Sequence, residues 1–318
     1  MLLKGIGATT EIDRHNCRIT RGALEDVDID VNNSGSVPSV GINHDRTIMP
    51  FGKVISAEVL PMDNGEYKME ITQEVFEHEY VIEFEDGRRF IMNKSSSDDR
   101  PFTEDVYDSD EITVSIDWVN FMNQEDISEI QDLVKEHNAL NRTIARKSLI
   151  PDPEIIIQIG NGIVGFLLTK KVIESVGDRF LNNLLDEVDK FYAFTRELVF
   201  KYSRLVIPRN RPQTYVFKMW DSCNVELVVV TTSPEEVMES IKKDKLEKIN
   251  EMLVDLRQHF IPRRVQFLYD EGNWIFNYLC TEKGEVIGTE KSYNKRVKAF
   301  ELFKAESDKI DVSVDGRT

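Results

Sequence analysis

Up to about residue 120 the apolar and polar positions mostly alternate with the two-residue period of strands. The clearest runs are GKVISAEVL, EYKMEITQEVF, YVIEFEDGRRFIMN and EITVSIDWVNF, with short turn segments between them. Asn64-Gly65 and Asp86-Gly87 carry tight-turn signals, because glycine takes positive φ without steric cost. This pattern predicts a β-rich barrel or sandwich with meander-like connections. At Gln124 the spacing changes: Ile127, Ile130, Leu133 and Val134 recur at three and four residues, which predicts a helix over 124–146 that closes the first half.

In SLIPDPE, Pro151 and Pro153 flank an aspartate and disfavour both helix and ladder pairing, so the domain boundary is expected near Pro151. The reading is a β-barrel domain over 1–150 and an α+β module over 151–318. Within the second, a helical pattern covers 178–203, followed by the strands TYVFKMW and VELVVVTT. SPEEVMESI has the serine, proline and glutamates of a helix start, and KLEKINEMLVDLRQHF continues as a further helix. RRVQFLYDEG and NWIFNYLCTEKGEVIGT read as a hairpin, and the tail 308–318 is expected to be loose. No internal repeat is evident in either half.

Composition narrows the function classes. With 318 residues and 41% hydrophobic content the chain can bury two cores. Its net charge of −17 is spread along the chain with no basic stripe, which argues against nucleic acid as a main partner. Cys17, Cys223 and Cys280 are far apart and odd in number, so a disulfide framework is not expected and a reducing cytoplasm is. The N-terminal stretch lacks a signal-peptide pattern, and secretion is not expected. The apolar run 155–169 is shorter than the roughly 20 residues of a spanning helix, which favours a buried element or an oligomer contact over a membrane helix. His15, His44, His78, His137 and His259 are scattered and suggest no metal set. GNGIVG at 160–165 lacks the residues of a phosphate loop, so no cofactor is expected.

One ordered set of residues carries more. Lys4, Gly5, Thr9, Asp13, Arg14, Gly22, Ala23 and Leu24 are followed by Asn43, His44, Asp45, Pro50, Gly52, Lys53 and Val54. This set resembles the opening of the phage prohead (capsid maturation) serine protease family. The resemblance covers the N-terminal half only; residues 155–318 resemble no family. It implies a β-barrel peptidase related in fold to herpesvirus assemblin, with His44 as general base to a serine on a later strand.

TVSIDWVNF offers Ser115 as that nucleophile, although Asp117 stands where the family has a small glycine and places a charge beside a developing oxyanion. A serine nucleophile also needs a third group to orient its base. Arg146 stands where the family's acid is expected, and Asp45, Asp117 and Glu154 are the open alternatives. Ser95, Ser96 and Ser97 form a rival nucleophile set in a loop-like context. Two functions follow as expectations. One is a serine peptidase acting on a protein chain, including its own linker. The other is a non-catalytic sensor or scaffold with a degenerate protease fold, in a phage-encoded or antiphage setting, recognising a protein partner as a monomer or homo-oligomer.

Overall fold

The computed structural model describes residues 1–12, 18–42, 45–104, 109–144, 153–168 and 178–315. Among these the chain is mixed α and β, with seven α-helices and fourteen strands. Contacts divide it into two compact units, Met1–Thr103 with Tyr278–Thr318, and Glu104–Asn277.

The first unit opens with β1 (Leu2–Thr9), α1 (Arg21–Asn33), β2 (Ser39–Val40), β3 (Gly52–Pro61) and β4 (Tyr67–Val75). The strands form an antiparallel sheet in the order β1-β4-β3-β2, curled into half a barrel. Gly65, at the turn joining β3 to β4, has φ +82°, the value its turn requires.

Within the stretch expected to be mostly strand, α1 is a correction. Its sequence EDVDIDV alternates as a strand would, yet Leu24 and Val31, two helical turns apart, are the residues that bury, against Ala57 and Met69. Val27 and Ile29 remain exposed. Thr20 starts the helix by accepting a hydrogen bond from the Ala23 N–H.

A hairpin of β5 (Glu79–Glu83) and β6 (Arg89–Asn93) turns at Gly87, and β6 pairs with β14 (Val286–Thr289). The last helix of the chain, Glu290–Asp315, keeps the described part of the expected loose tail helical. Met49, Phe102, Tyr278, Cys280 and Val286 form a core cluster in this unit.

The second unit contains β7 (Thr113–Asp117), α2 (Gln124–Glu136), β8 (Leu140–Ile144), β9 (Glu154–Gln158), α3 (Asn161–Leu168), α4 (Asp178–Leu205), β10 (Gln213–Trp220) and β11 (Asn224–Thr231). It continues with α5 (Pro234–Ser240), α6 (Lys243–His259) and β12 (Pro262–Asp270), and β13 (Asn273–Thr281) carries the chain back into the first unit; the terminal helix is therefore α7. Three pairs of neighbouring strands are parallel, and each is joined through helices: β7 to β8 through α2, β9 to β10 through α3 and α4, and β11 to β12 through α5 and α6. Antiparallel joints between β7 and β9 and between β10 and β11 merge them into one sheet.

This topology explains two departures from the sequence reading. Residues expected to extend one helix to 146 instead end it at Glu136, where Asn138 takes φ +55° and the chain turns into β8. The compact units also follow a different division from one at Pro151, which lies outside the described residues, because β9 beyond it is a hydrogen-bonded neighbour of β7 before it. The apolar run at 155–169 is a strand followed by a helix, with Ile155, Ile157, Ile159, Val164, Leu167 and Leu168 buried. Among the described residues no helix is long and apolar enough to cross a membrane.

Candidate functional site

His44, the expected base, and Arg146 lie outside the described residues, so the expected pairing of His44 with Ser115 falls outside them too. Ser115 is half-buried on β7, opposite Arg142 of β8 on one side and Ile156 of β9 on the other. Asp117, two residues on and on the same face, accepts the Val119 N–H at 3.1 Å and so caps the turn Trp118–Asn120. Asp45 accepts the Thr47 N–H at 2.8 Å and the Thr47 hydroxyl at 2.5 Å, and Lys295 Nζ lies 3.9 Å from it. Glu154 is buried on β9. Asp45 and Asp117 thus have local backbone duties of the kind their side chains favour at turns and caps.

The rival serines converge on one acid. Glu74 of β4 accepts the Ser95, Ser96 and Ser97 hydroxyls and the Ser96 N–H, the last at 2.6 Å. Glu74 is 3% exposed, and although burial alone would raise its pKa, the serine donors prevail and hold the carboxyl at about 2. Directly opposite on β3, Lys53 is fully buried and donates to the Asp98 and Arg100 carbonyls at 2.6 and 2.7 Å. Burial pushes the Lys53 ammonium pKa down in spite of nearby Asp98 and Glu74. Arg100 in turn donates to the Val31 and Ile55 carbonyls at 2.8 and 2.9 Å.

Residues 95–100 therefore form a strap clamped across the sheet. Gly52 and Lys53, both in the set that carries the family resemblance, have structural reasons for their identity. A Cβ on Gly52 would collide with the Glu74 carbonyl, and Lys53 anchors the strap. Three serine hydroxyls committed to a buried carboxylate make a clamp rather than a nucleophile set.

The second unit holds a polar arrangement that the sequence reading missed. Register places Thr113, Gln158, Lys218, Glu226 and Gln266 in one row across β7, β9, β10, β11 and β12. All five are buried, and on β13 Asn277, 2% exposed, extends the row by donating to Gln266 Oε1 at 2.7 Å. Gln266 donates to Glu226 Oε2 at 3.0 Å, and Lys218 Nζ lies 3.4 Å from Glu226 Oε1. One row along the same face, Asn224 stands opposite Arg264. Ser115 belongs to the row on the other side, with the apolar Ile156, Val216 and Val228.

Glu104 meets the Asn224 row from the loop before β7. Asn224 Nδ2 donates to Glu104 Oε2 at 3.1 Å, and Arg264 Nε lies 3.7 Å from Glu104 Oε1. Burial raises the Glu104 pKa; Arg264 opposes the shift and Glu226 adds to it. Single polar residues inside apolar strands were the available signal: Gln158 in IIIQIG, Lys218 in TYVFKMW, Glu226 in VELVVV and Gln266 in RRVQFLY. Buried ionisable groups have a high desolvation cost, so a strand that retains one does so through a specific partner.

Among the described residues no group of three or more His, Cys, Asp and Glu side chains could hold a metal ion. Cys223 and Cys280 are buried. No family model, curated protein or solved structure matches the chain.

Proposed function

We propose that the chain is a non-catalytic sensor or scaffold that recognises a protein partner, built in its first unit on a degenerate relative of the prohead protease barrel. The observation that carries this reading is the engagement of the candidate catalytic groups in local structure. Asp45 closes a turn, Asp117 caps one, and Ser95, Ser96 and Ser97 hold Glu74. The resemblance in the first 54 residues supports a phage-encoded or antiphage setting for such a protein.

A second reading, a serine peptidase with Ser115 as nucleophile and His44 as base, is favoured by the ordered residues around His44. His44, the base that this reading requires beside Ser115, lies outside the described residues, and Ser115 itself is half-buried on β7. The two readings separate in one experiment. The intact chain is incubated with a fluorophosphonate probe, and its mass is followed. The expected result is an unmodified, uncleaved chain. Stoichiometric labelling that disappears in both Ser115→Ala and His44→Ala would overturn the sensor reading in favour of the peptidase.

A further inference from the structure

The four-stranded sheet of the first unit ends on two different kinds of strand. At one edge β2 is two residues long, and a short edge offers little to pair with; at the other, β1 is eight residues long. Among the described residues β1 pairs with β4 alone. Its other side can be assigned residue by residue. Val75 N–H donates to the Met1 carbonyl at 2.9 Å, and the Met1 nitrogen donates back to the Val75 carbonyl at 3.1 Å. The antiparallel register alternates from that pair, so Leu3 and Gly5 turn their N–H and C=O groups toward β4, and Leu2, Lys4 and Ile6 turn theirs away from it.

The side chains of the same three residues share one face, ahead of the irregularity between Ile6 and Ala8. Leu2 and Ile6 are each 60% exposed, and between them the Lys4 side chain is 71% exposed, with Glu70 Oε1 of β4 at 3.8 Å. Outward backbone groups beside two uncovered apolar side chains form a template for an added strand. Charge decides which strand fits. A second copy of β1, paired antiparallel so that Leu2 meets its Ile6, is the two-fold alignment that uses all three residues, and it sets Lys4 against Lys4. Like charges directly opposite each other destabilise a strand pair, whereas an acid opposite Lys4 stabilises it.

We infer that the free edge of β1 binds an extended segment of a partner protein as an added antiparallel strand. The segment carries an acidic residue opposite Lys4 and apolar residues two positions to either side, opposite Leu2 and Ile6. The inference rests on the proposed recognition of a protein partner, and it names the site of that recognition and the pattern read there.

The test selects binders of the intact chain from a displayed library of short randomised segments. Enriched segments are expected to show the apolar, acidic, apolar alternation. For a selected segment, Lys4→Glu should weaken binding by about fivefold, and exchanging the segment's acid for lysine should restore it. In the complex, hydrogen exchange at the Leu2, Lys4 and Ile6 amides should slow. No enrichment, enriched segments without the acid, or unchanged affinity in a folded Lys4→Glu would each overturn the inference. So would a wild-type dimer in sedimentation that Leu2→Lys/Ile6→Lys dissociates, because the edge would then belong to a second copy. Segment binding by a chain that is also labelled at Ser115 by the fluorophosphonate probe would uphold the edge and overturn the sensor reading. An unlabelled chain that enriches no segment would overturn the edge and leave that reading standing.

Discussion

In the first unit the buried Glu74 carboxylate collects four donors from Ser95, Ser96 and Ser97, whereas in the second the buried Glu104 carboxylate has one, from Asn224. Both have cations in their surroundings, Lys53 for Glu74 and Arg264 with Lys218 for Glu104. Their acidities nevertheless move in opposite directions, to about 2 for Glu74 and upward for Glu104. The contrast shows what compensates a buried charge. Short hydrogen bonds aimed at both oxygens outweigh desolvation, while ions at 3.7 Å and beyond do not. The first unit uses its carboxylate as a clamp, and the second holds its own with little support.

The largest effect should come from removing the clamped acid. Glu74→Ala takes away the acceptor for three hydroxyls and leaves Lys53 buried without its cross-strand carboxylate, an expected loss of about 3–5 kcal/mol in urea unfolding. Its pH signature follows from sign. The Glu74 folded-state pKa lies below the ordinary 4.5, so its contribution is complete above that pH and disappears as pH falls through about 2. Wild type should therefore lose stability along this acid limb, and Glu74→Gln should flatten it. Glu104 acts with the opposite sign: raised above 4.5, its ionisation costs stability as pH rises through the folded value, and Glu104→Gln should remove that fall. An unchanged acid limb in Glu74→Gln would end the comparison.

Next in size is the buried pair of the second unit. Lys218→Met alone removes the buried ammonium 3.4 Å from the buried Glu226 carboxylate and is expected to cost about 3 kcal/mol or more. Adding Glu226→Leu should return most of that loss, because two buried charges replaced by apolar groups of similar size lose their desolvation cost along with their attraction. The double-mutant cycle checks this directly; additive losses would mean that Lys218 and Glu226 do not depend on each other. The smallest effect is expected for Ser97→Ala, which removes one of four donors at an exposed position and should cost about 1 kcal/mol. A cost as large as that of Glu74→Ala would mean that the strap hangs on Ser97 alone.

Much of the secondary structure was legible because it rests on local physics. Hairpin glycines at 65 and 87, the Ser233-Pro234 helix start and the long helical spacing of α4 each depend on backbone preference or on periodicity within one segment. The errors arose where a neighbour in space decided. Helix α1 lies in a stretch expected to be mostly strand and is fixed by Leu24 and Val31 burying against β3 and β4, and the helix expected to reach residue 146 gives its last residues to β8 because β7 offers them a ladder.

For the candidate site the split is sharper. Composition and order in the chain by themselves determined which residues could do chemistry: the serines at 95–97, Ser115, Asp45 and Asp117. Tertiary structure alone decided what each of them does. Serines 95–97 became donors because Glu74 lies under their loop, and Lys218, Glu226 and Gln266 became one network because strand register brings residues far apart in the chain into a single row. The physical reason is that hydrogen bonds and ion pairs act over a few ångströms, a scale on which distance along the chain carries little information and packing supplies the rest.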